Sequence, residues 1–323
     1  MTSEVEERIH KTLASHPLER IEDGYRLAHE AGVGTSTLRL LPGGETRDGQ
    51  QVVAVAEIVA EYGPVGMPSF HPAGLQRLNR MAIYGAYHLQ GDQLRQTAQF
   101  SIYGKEPSAH LAAQSILNAF GAQLPLGRSS ALATVSAAML EQQRAHHAMP
   151  REWKKPVDEQ SMQAAAAALQ ARGLAASNNA ASIWAEIAMS GDCPSRSIDP
   201  QAETALLQVT TATAHPIAGA GYLATIFLPL QKPPANSDEI CRRLNALELE
   251  QVEFAPRNGA WGLHGKDDLP GYTCFIPCPE PIDGMHMALM WWCAGRAAWL
   301  RDGFWVAQQG IVFDKASDAK PPA

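Results

Sequence analysis

The chain has 323 residues, 46% of them hydrophobic and 18% charged, with a formal net charge of −7. That composition fits a folded chain and excludes a disordered one. The acidic balance, with no Lys/Arg run longer than two, argues against a nucleic-acid partner. No apolar stretch reaches the roughly 20 residues a membrane helix needs, so no membrane partner is expected.

The N-terminal "MTSEVEERIHKTLASHP" is acidic and amphipathic and lacks the basic and apolar regions of a signal peptide. A cytoplasmic location is therefore expected. Five cysteines, at 193, 241, 274, 278 and 293, are odd in number and irregular in spacing, which speaks against a disulfide framework. Cys274 and Cys278 form C-x3-C, but no second Cys/His pair stands at finger-like spacing. No metal and no cofactor are expected.

In chain order, Val5, Ile9, Leu13, Ile21, Tyr25 and Leu27 have a mostly three-to-four spacing that predicts a helix ending at Gly32 and Gly34. "TSTLRLL" has strand character. Pro42, Gly43, Gly44, Asp48 and Gly49 predict a hairpin-like loop. "QQVVAVAEIVAEY" is apolar on both faces and is placed inside a sheet. "GPVGMPSFHP" reads as a loop and "AGLQRLNRMA" as a short helix. "IYGAYHLQ" and "RQTAQFSIYG" read as two strands around a Gly-Asp turn. Pro107 and Ser108 open a helix through Phe120, and an alanine-rich helical region runs from about Ser129 to His147.

"MPREWKKPVD" reads as an interdomain linker. Asp158 is expected to cap the helix "EQSMQAAAAALQARG". Strands follow at "ASIWAEIAMS", "ALLQVTTATA" and "GYLATIFLPL", then a helix at "NSDEICRRLNALELE" with a Ser237 cap. Strands near "GAWGLHG" and "GYTCFIPC" precede a helix from about Asp283 to Arg301.

The order helix, strands, helix, hairpin, helix thus occurs twice, and the wording agrees with it. Arg77-Leu78-Asn79 corresponds to Arg243-Leu244-Asn245, Gly85-Ala86-Tyr87 to Gly259-Ala260-Trp261, Gly91 to Gly265 and Phe100 to Phe275. Glu106-Pro107 matches Glu280-Pro281. An internal duplication is the expectation. The first domain spans 1–148, a linker 149–157, the second domain 158–315 and a disordered tail 316–323.

The run "AHPIAGAGYLATIFLPL", "ICRRLN", "GAWGLHG", "YTCFIP" resembles the superfamily of type III secretion chaperone-like and YbjN-like domains. The resemblance is clear over about Leu206 to Leu300 and weak over Val52 to Phe120. It implies an α+β fold of two tandem domains, each a curved antiparallel sheet backed by helices. It also implies binding of partly unfolded client segments, with one chain imitating the dimer of single-domain relatives. In the first copy Met67-Pro68-Ser69-Phe70 stands where the second has "GYLATIFLPL", so the completeness of the first sheet is in question.

Catalytic signatures are absent. "GVGTST" lies between a helix and a strand, the wrong order for a phosphate loop, and there is no G-x-S-x-G elbow. His146 and His147, adjacent on a helix, point apart. His71-Pro72 and His215-Pro216 read as turns. Cys293 sits in the apolar run "MWWCAGRAAW", where a buried thiol is expected.

The last helix is rich in large, adaptable side chains: Met285, Met287, Met290, Trp291, Trp292 and Trp299. Such residues serve either as core or as partner anchors. The expected function is non-catalytic protein or peptide binding, chaperone-like, through Trp261, Met285, Met287, Trp291, Trp292 and Tyr87, by a monomer acting as a pseudo-dimer. The alternative is a small-molecule-binding protein or enzyme. Its site would lie in a crevice between the copies and use Arg77, Asn79, His88, Arg243, Asn245 and His264.

Overall fold

The computed structural model describes residues 7, 10–11, 13–14, 18–28, 34–45, 51–62, 72–91, 93–103, 108–133, 137–147, 150–155, 157–189, 204–230, 233–250, 257–307 and 310–312. They build an α+β protein with two similar six-stranded antiparallel sheets, each flanked by helices. The first repeat runs β1 (Glu19–Ile21), β2 (Gly24–Ala28), β3 (Thr35–Glu45), β4 (Gln51–Glu61), α1 (Pro72–Asn79), β5 (Ala86–Gln90), β6 (Gln93–Tyr103), α2 (Ser108–Ala133) and α3 (Ala137–His147). The second opens with α4 (Glu159–Gln170), β7 (Ala175–Asn178), β8 (Ser182–Ala188), β9 (Thr204–Thr210) and β10 (Gly221–Phe227). It continues with α5 (Ser237–Glu250), β11 (Ala260–His264), β12 (Leu269–Pro277), α6 (Met285–Gly303), β13 (Trp305–Ala307) and β14 (Gly310–Val312).

The sheet orders are β1-β2-β3-β4-β6-β5 and β7-β8-β9-β10-β12-β11, the same path taken twice. By position in the sheet, the counterpart of β10 is β4, not the segment 67–70, which lies outside the described residues. The first copy therefore keeps a full sheet. The chain divides into two compact units, Met1–Ala148 with Arg242–Ala260, and Met149–Cys241 with Trp261–Ala323.

In the first unit, alternate residues of β4 (Ala54, Ala56, Ile58 and Ala60) are fully buried. They face the side on which α2 packs across β3, β4 and β6, as period-two alternation requires. Ile116, Phe120 and Leu124, four residues apart, supply the matching helix face and are buried. In the second unit α6 packs on β8, β9 and β10 through Leu289, Met290, Cys293, Ala297 and Leu300.

Several expectations are corrected. The expected N-terminal helix is kept at Glu7, His10, Lys11 and Leu13, but from Glu19 the chain forms the hairpin β1–β2, which turns at Glu22-Asp23 with Ile21 facing Gly24. Tyr25 is buried and Arg26 exposed, an alternation that a three-to-four count conceals. Pro42 to Gly44 lie inside β3, with Pro42 opposite Ala54. The helix expected to end at Phe120 continues to Ala133 through Pro125. Strands β7, β13 and β14 were not anticipated. Asp158 does cap α4, accepting from the Gln160 N–H at 3.1 Å, whereas the Ser237 hydroxyl donates to the Pro234 carbonyl instead. Trp153, in the expected linker, is anchored in the second unit. Its indole N–H donates to the Thr211 carbonyl at 3.0 Å and its ring meets Tyr222 edge-on. The expected tail, 316–323, lies outside the described residues.

Candidate functional site

The repeated Arg-Leu-Asn triplet has a structural task. The Asn79 side chain is fully buried. Its Oδ1 accepts from the Tyr87 N–H at 2.7 Å and its Nδ2 donates to the Tyr87 carbonyl at 3.2 Å, tying α1 to β5. The same Nδ2 donates to Gln76 Oε1 at 3.0 Å. Asn245, the matching asparagine, also belongs to the first unit, and its Nδ2 reaches Gln76 Oε1 at a long 3.5 Å. Two of the six crevice candidates therefore converge on one glutamine and are used up as backbone and helix ties.

Around them lies a buried polar knot. Tyr84 takes a left-handed φ of 58° and Gly85 one of 100°, which turns the peptide groups of Ile83 to Gly85 inward. Gln96 Nε2 donates to the Ile83 carbonyl at 2.8 Å, and Gln123 Nε2 to the Tyr84 carbonyl at 2.7 Å. The Tyr62 hydroxyl donates to Gln96 Oε1 and the Tyr87 hydroxyl to the Gly127 carbonyl. A Cβ at Gly127 would lie 2.0 Å from the Tyr62 hydroxyl, so glycine alone lets the helix approach. Burial, and then the neighbouring Tyr87, holds the Tyr62 phenol well above its ordinary range, so it stays protonated. The knot satisfies backbone groups that burial would otherwise orphan.

Of the remaining crevice candidates, Arg77, His88 and Arg243 lie in the first unit and His264 in the second. Arg77 and Arg243 are exposed. His88 is half-buried opposite Arg95, its pKa lowered first by burial. His264 lies in the second unit, its Nε2 3.0 Å from the Thr273 hydroxyl and its ring edge-on to Phe227. A cavity of about 610 Å³ does exist in the first unit, lined by His10, Lys11, Leu13, Leu18, Arg20 and Tyr25 among others. Its wall combines helical His10, Lys11 and Leu13 with Arg20 and Tyr25 of the β1–β2 hairpin.

Of the expected partner anchors, Tyr87 and Trp261 are 1% and 0% exposed. They hold the interior of their own units and offer no surface. Met285, Met290 and Trp299 are also buried, whereas Met287, Trp291 and Trp292 are half-buried on the outer side of α6. The outward positions of this helix read Met287, Ala288, Trp291, Trp292, Gly295 and Ala298. Its one mid-helix cation, Arg296, is turned inward, with its guanidinium 4.5 Å over the Tyr272 ring. This helix thus presents an uncharged apolar strip to the outside, edged by Arg172 over the Trp291 ring at 4.8 Å. On the other side of the sheet, Phe227 is 40% exposed.

The four described cysteines are buried and none is in a disulfide. Burial raises the thiol pKa values of Cys241 and Cys274, which makes them poor nucleophiles. Cys193 and His71 lie outside the described residues. His215 closes a turn, its Nδ1 accepting from the Ile217 and Ala218 N–H groups. Among the described residues no helix is long and apolar enough to cross a membrane. Comparison with protein-family models, curated proteins and solved structures returned no match.

Proposed function

We propose that the chain is a non-catalytic, cytoplasmic binding protein that holds apolar segments of a protein client against the outer face of α6. The observation that supports this reading is the charge arrangement of the helix. A helix lying on a sheet ordinarily turns polar residues outward. Here Met287, Ala288, Trp291, Trp292 and Ala298 face out while Arg296 faces in. Methionine and tryptophan suit a surface that accepts varied apolar side chains, and indoles are frequent anchors of protein contacts. The chaperone-like resemblance points to the same class of partner, an unfolded or extended segment.

The test uses a reduced, carboxymethylated protein that cannot fold as the probe, with a photo-crosslinking residue placed at position 292 or, as control, at the exposed Gln163 of α4. Cross-linking to the probe from 292 and not from 163 is expected. Absence of binding, or equal cross-linking from both positions, overturns the proposal.

A further inference from the structure

We propose that the outer face of α6 also pairs with the same face of a second copy of this chain. In this pair the two helices run antiparallel, with Trp291 of each seated over Gly295 of the other. The inference rests on the reading of this face as a protein contact and names one partner for it.

The outermost positions of α6 and its cap are Gly284, Ala288, Trp291, Gly295, Ala298 and Asp302. Their spacing is 4-3-4-3-4, the seam of a helix pair. Two of these residues, Gly295 and Asp302, are poor choices for a solitary helix. Gly295 sits mid-helix, where glycine is weak. A Cβ there would meet nothing within 4 Å, so no packing among the described residues calls for it. Gly284 is the N-cap at a left-handed φ of 76°, which suits glycine, and it supplies no side-chain cap bond. Asp302 puts a carboxylate at the C-terminal end, which the helix dipole disfavours; Arg301 Nε lies 2.8 Å from it.

One antiparallel register answers both. Its layers read Gly284 against Asp302, Ala288 against Ala298, and Trp291 against Gly295, and then repeat in reverse, as an isologous interface requires. Each indole fills the hole left by a glycine. Each Asp302 carboxylate arrives at the uncapped N-terminus of the facing helix, where N–H groups and dipole favour an anion. A parallel pair would instead stack Trp291 on its own copy and leave the two glycines facing each other. Between Asp283 and Arg301 the helix itself turns no charge outward, and Arg172 lies over the Trp291 ring at the strip's edge. Two chains of net charge −7 meet with least repulsion on such a strip. Self-pairing would also keep the strip out of water until a client displaces the second copy.

The test begins with sedimentation of the full chain over a wide concentration range, with a reversible monomer–dimer equilibrium as the expected result. Gly295→Trp should raise the dissociation constant at least tenfold. Adding Trp291→Gly to the same chain exchanges bump and hole and should restore pairing. Chains carrying Ala288→Cys and Ala298→Cys, one of them tagged, should cross-link to each other faster than either links to itself. A chain that stays monomeric throughout, or Ala288→Cys linking to itself as fast as to Ala298→Cys, overturns the proposal. The two readings of this face fail separately. A monomeric chain that still binds the unfolded probe removes self-pairing alone. A chain that pairs as described, while neither it nor the dissociated Gly295→Trp chain binds the probe, removes the client reading alone.

Discussion

The two units follow one strand path but fill their interiors with different chemistry. Between sheet and helix the first unit buries hydrogen-bonded side chains, with Tyr62, Tyr87, Gln96 and Gln123 all 2% exposed or less. The second buries Trp261, Tyr272, Cys274, Met290 and Cys293, with Trp261 edge-on to Tyr272. At the one position where both copies place a ring at the start of the hairpin, Tyr87 has a hydroxyl that finds a carbonyl and Trp261 replaces it with bulk. Element order and strand alternation set the path. The interior is then free to be polar or apolar, provided every buried polar group has a partner. The two solutions differ in tolerance. A polar network fails when one member is lost, whereas an apolar interior accepts swaps that conserve volume.

The largest effect should come from removing bulk. Trp261→Ala empties a fully buried site and should cost about 3–5 kcal/mol, read by chemical denaturation. Asn79→Ala should come next, at about 2–4 kcal/mol, because it orphans both the N–H and the carbonyl of Tyr87 in a buried setting. A pair of gentler changes sharpens the comparison. Tyr87→Phe removes only the hydroxyl bound to Gly127 and should still cost about 1 kcal/mol, whereas Cys293→Ala, in the apolar interior, should cost no more than a small cavity does. Equal costs for these two would erase the proposed difference between the units.

A smaller effect concerns pH. Burial lowers the pKa of His88 in the first unit and of His286 in the second. At pH values between the lowered folded pKa and the ordinary 6.5, the unfolded chain holds the extra proton. Stability therefore rises with pH through that window, is complete above about 6.5 and is lost as pH falls below it. His286 makes contact with Ser161, with Asp283 nearby favouring its charged form. His88 faces Arg95, which disfavours the charged form, and Glu57, which favours it. His286→Gln should flatten part of this slope in denaturation midpoints measured from pH 5 to 7. An unchanged slope would mean that the imidazole is neutral in neither state's favour.

The duplication was legible because its marks are backbone requirements. Gly91 and Gly265, with φ of 64° and 68°, turn matching hairpins, and β5 and β11 start at matching alanines. The β1–β2 hairpin was missed because Ile21, Tyr25 and Leu27 suit a helix count as well as a strand. Asp23-Gly24 is a reversal pair, but the apolar spacing before it matches a helix. The anchors Tyr87 and Trp261 were misplaced for a different reason. A large aromatic at the head of an edge strand reads alike whether it faces a helix or a partner, and only the burial of its neighbours decides. For α6 the composition was legible, but the facing was not. The 4-3 seam that turns Trp291 and Gly295 outward becomes meaningful only once Met290, Cys293 and Arg296 are known to point in.

The smallest prediction probes that seam. In an isolated helix, replacing glycine by alanine at an interior exposed site stabilises by about 1 kcal/mol. The space around Gly295 admits the methyl group without contact. In dilute solution Gly295→Ala should therefore raise the melting temperature, by roughly 2–4 °C for a chain of this size. At high concentration the same methyl group occupies the seat of the second copy's indole, and the gain should shrink or reverse. A gain that is the same at every concentration would show that Gly295 faces nothing but water. The outer face of α6 would then carry no second copy.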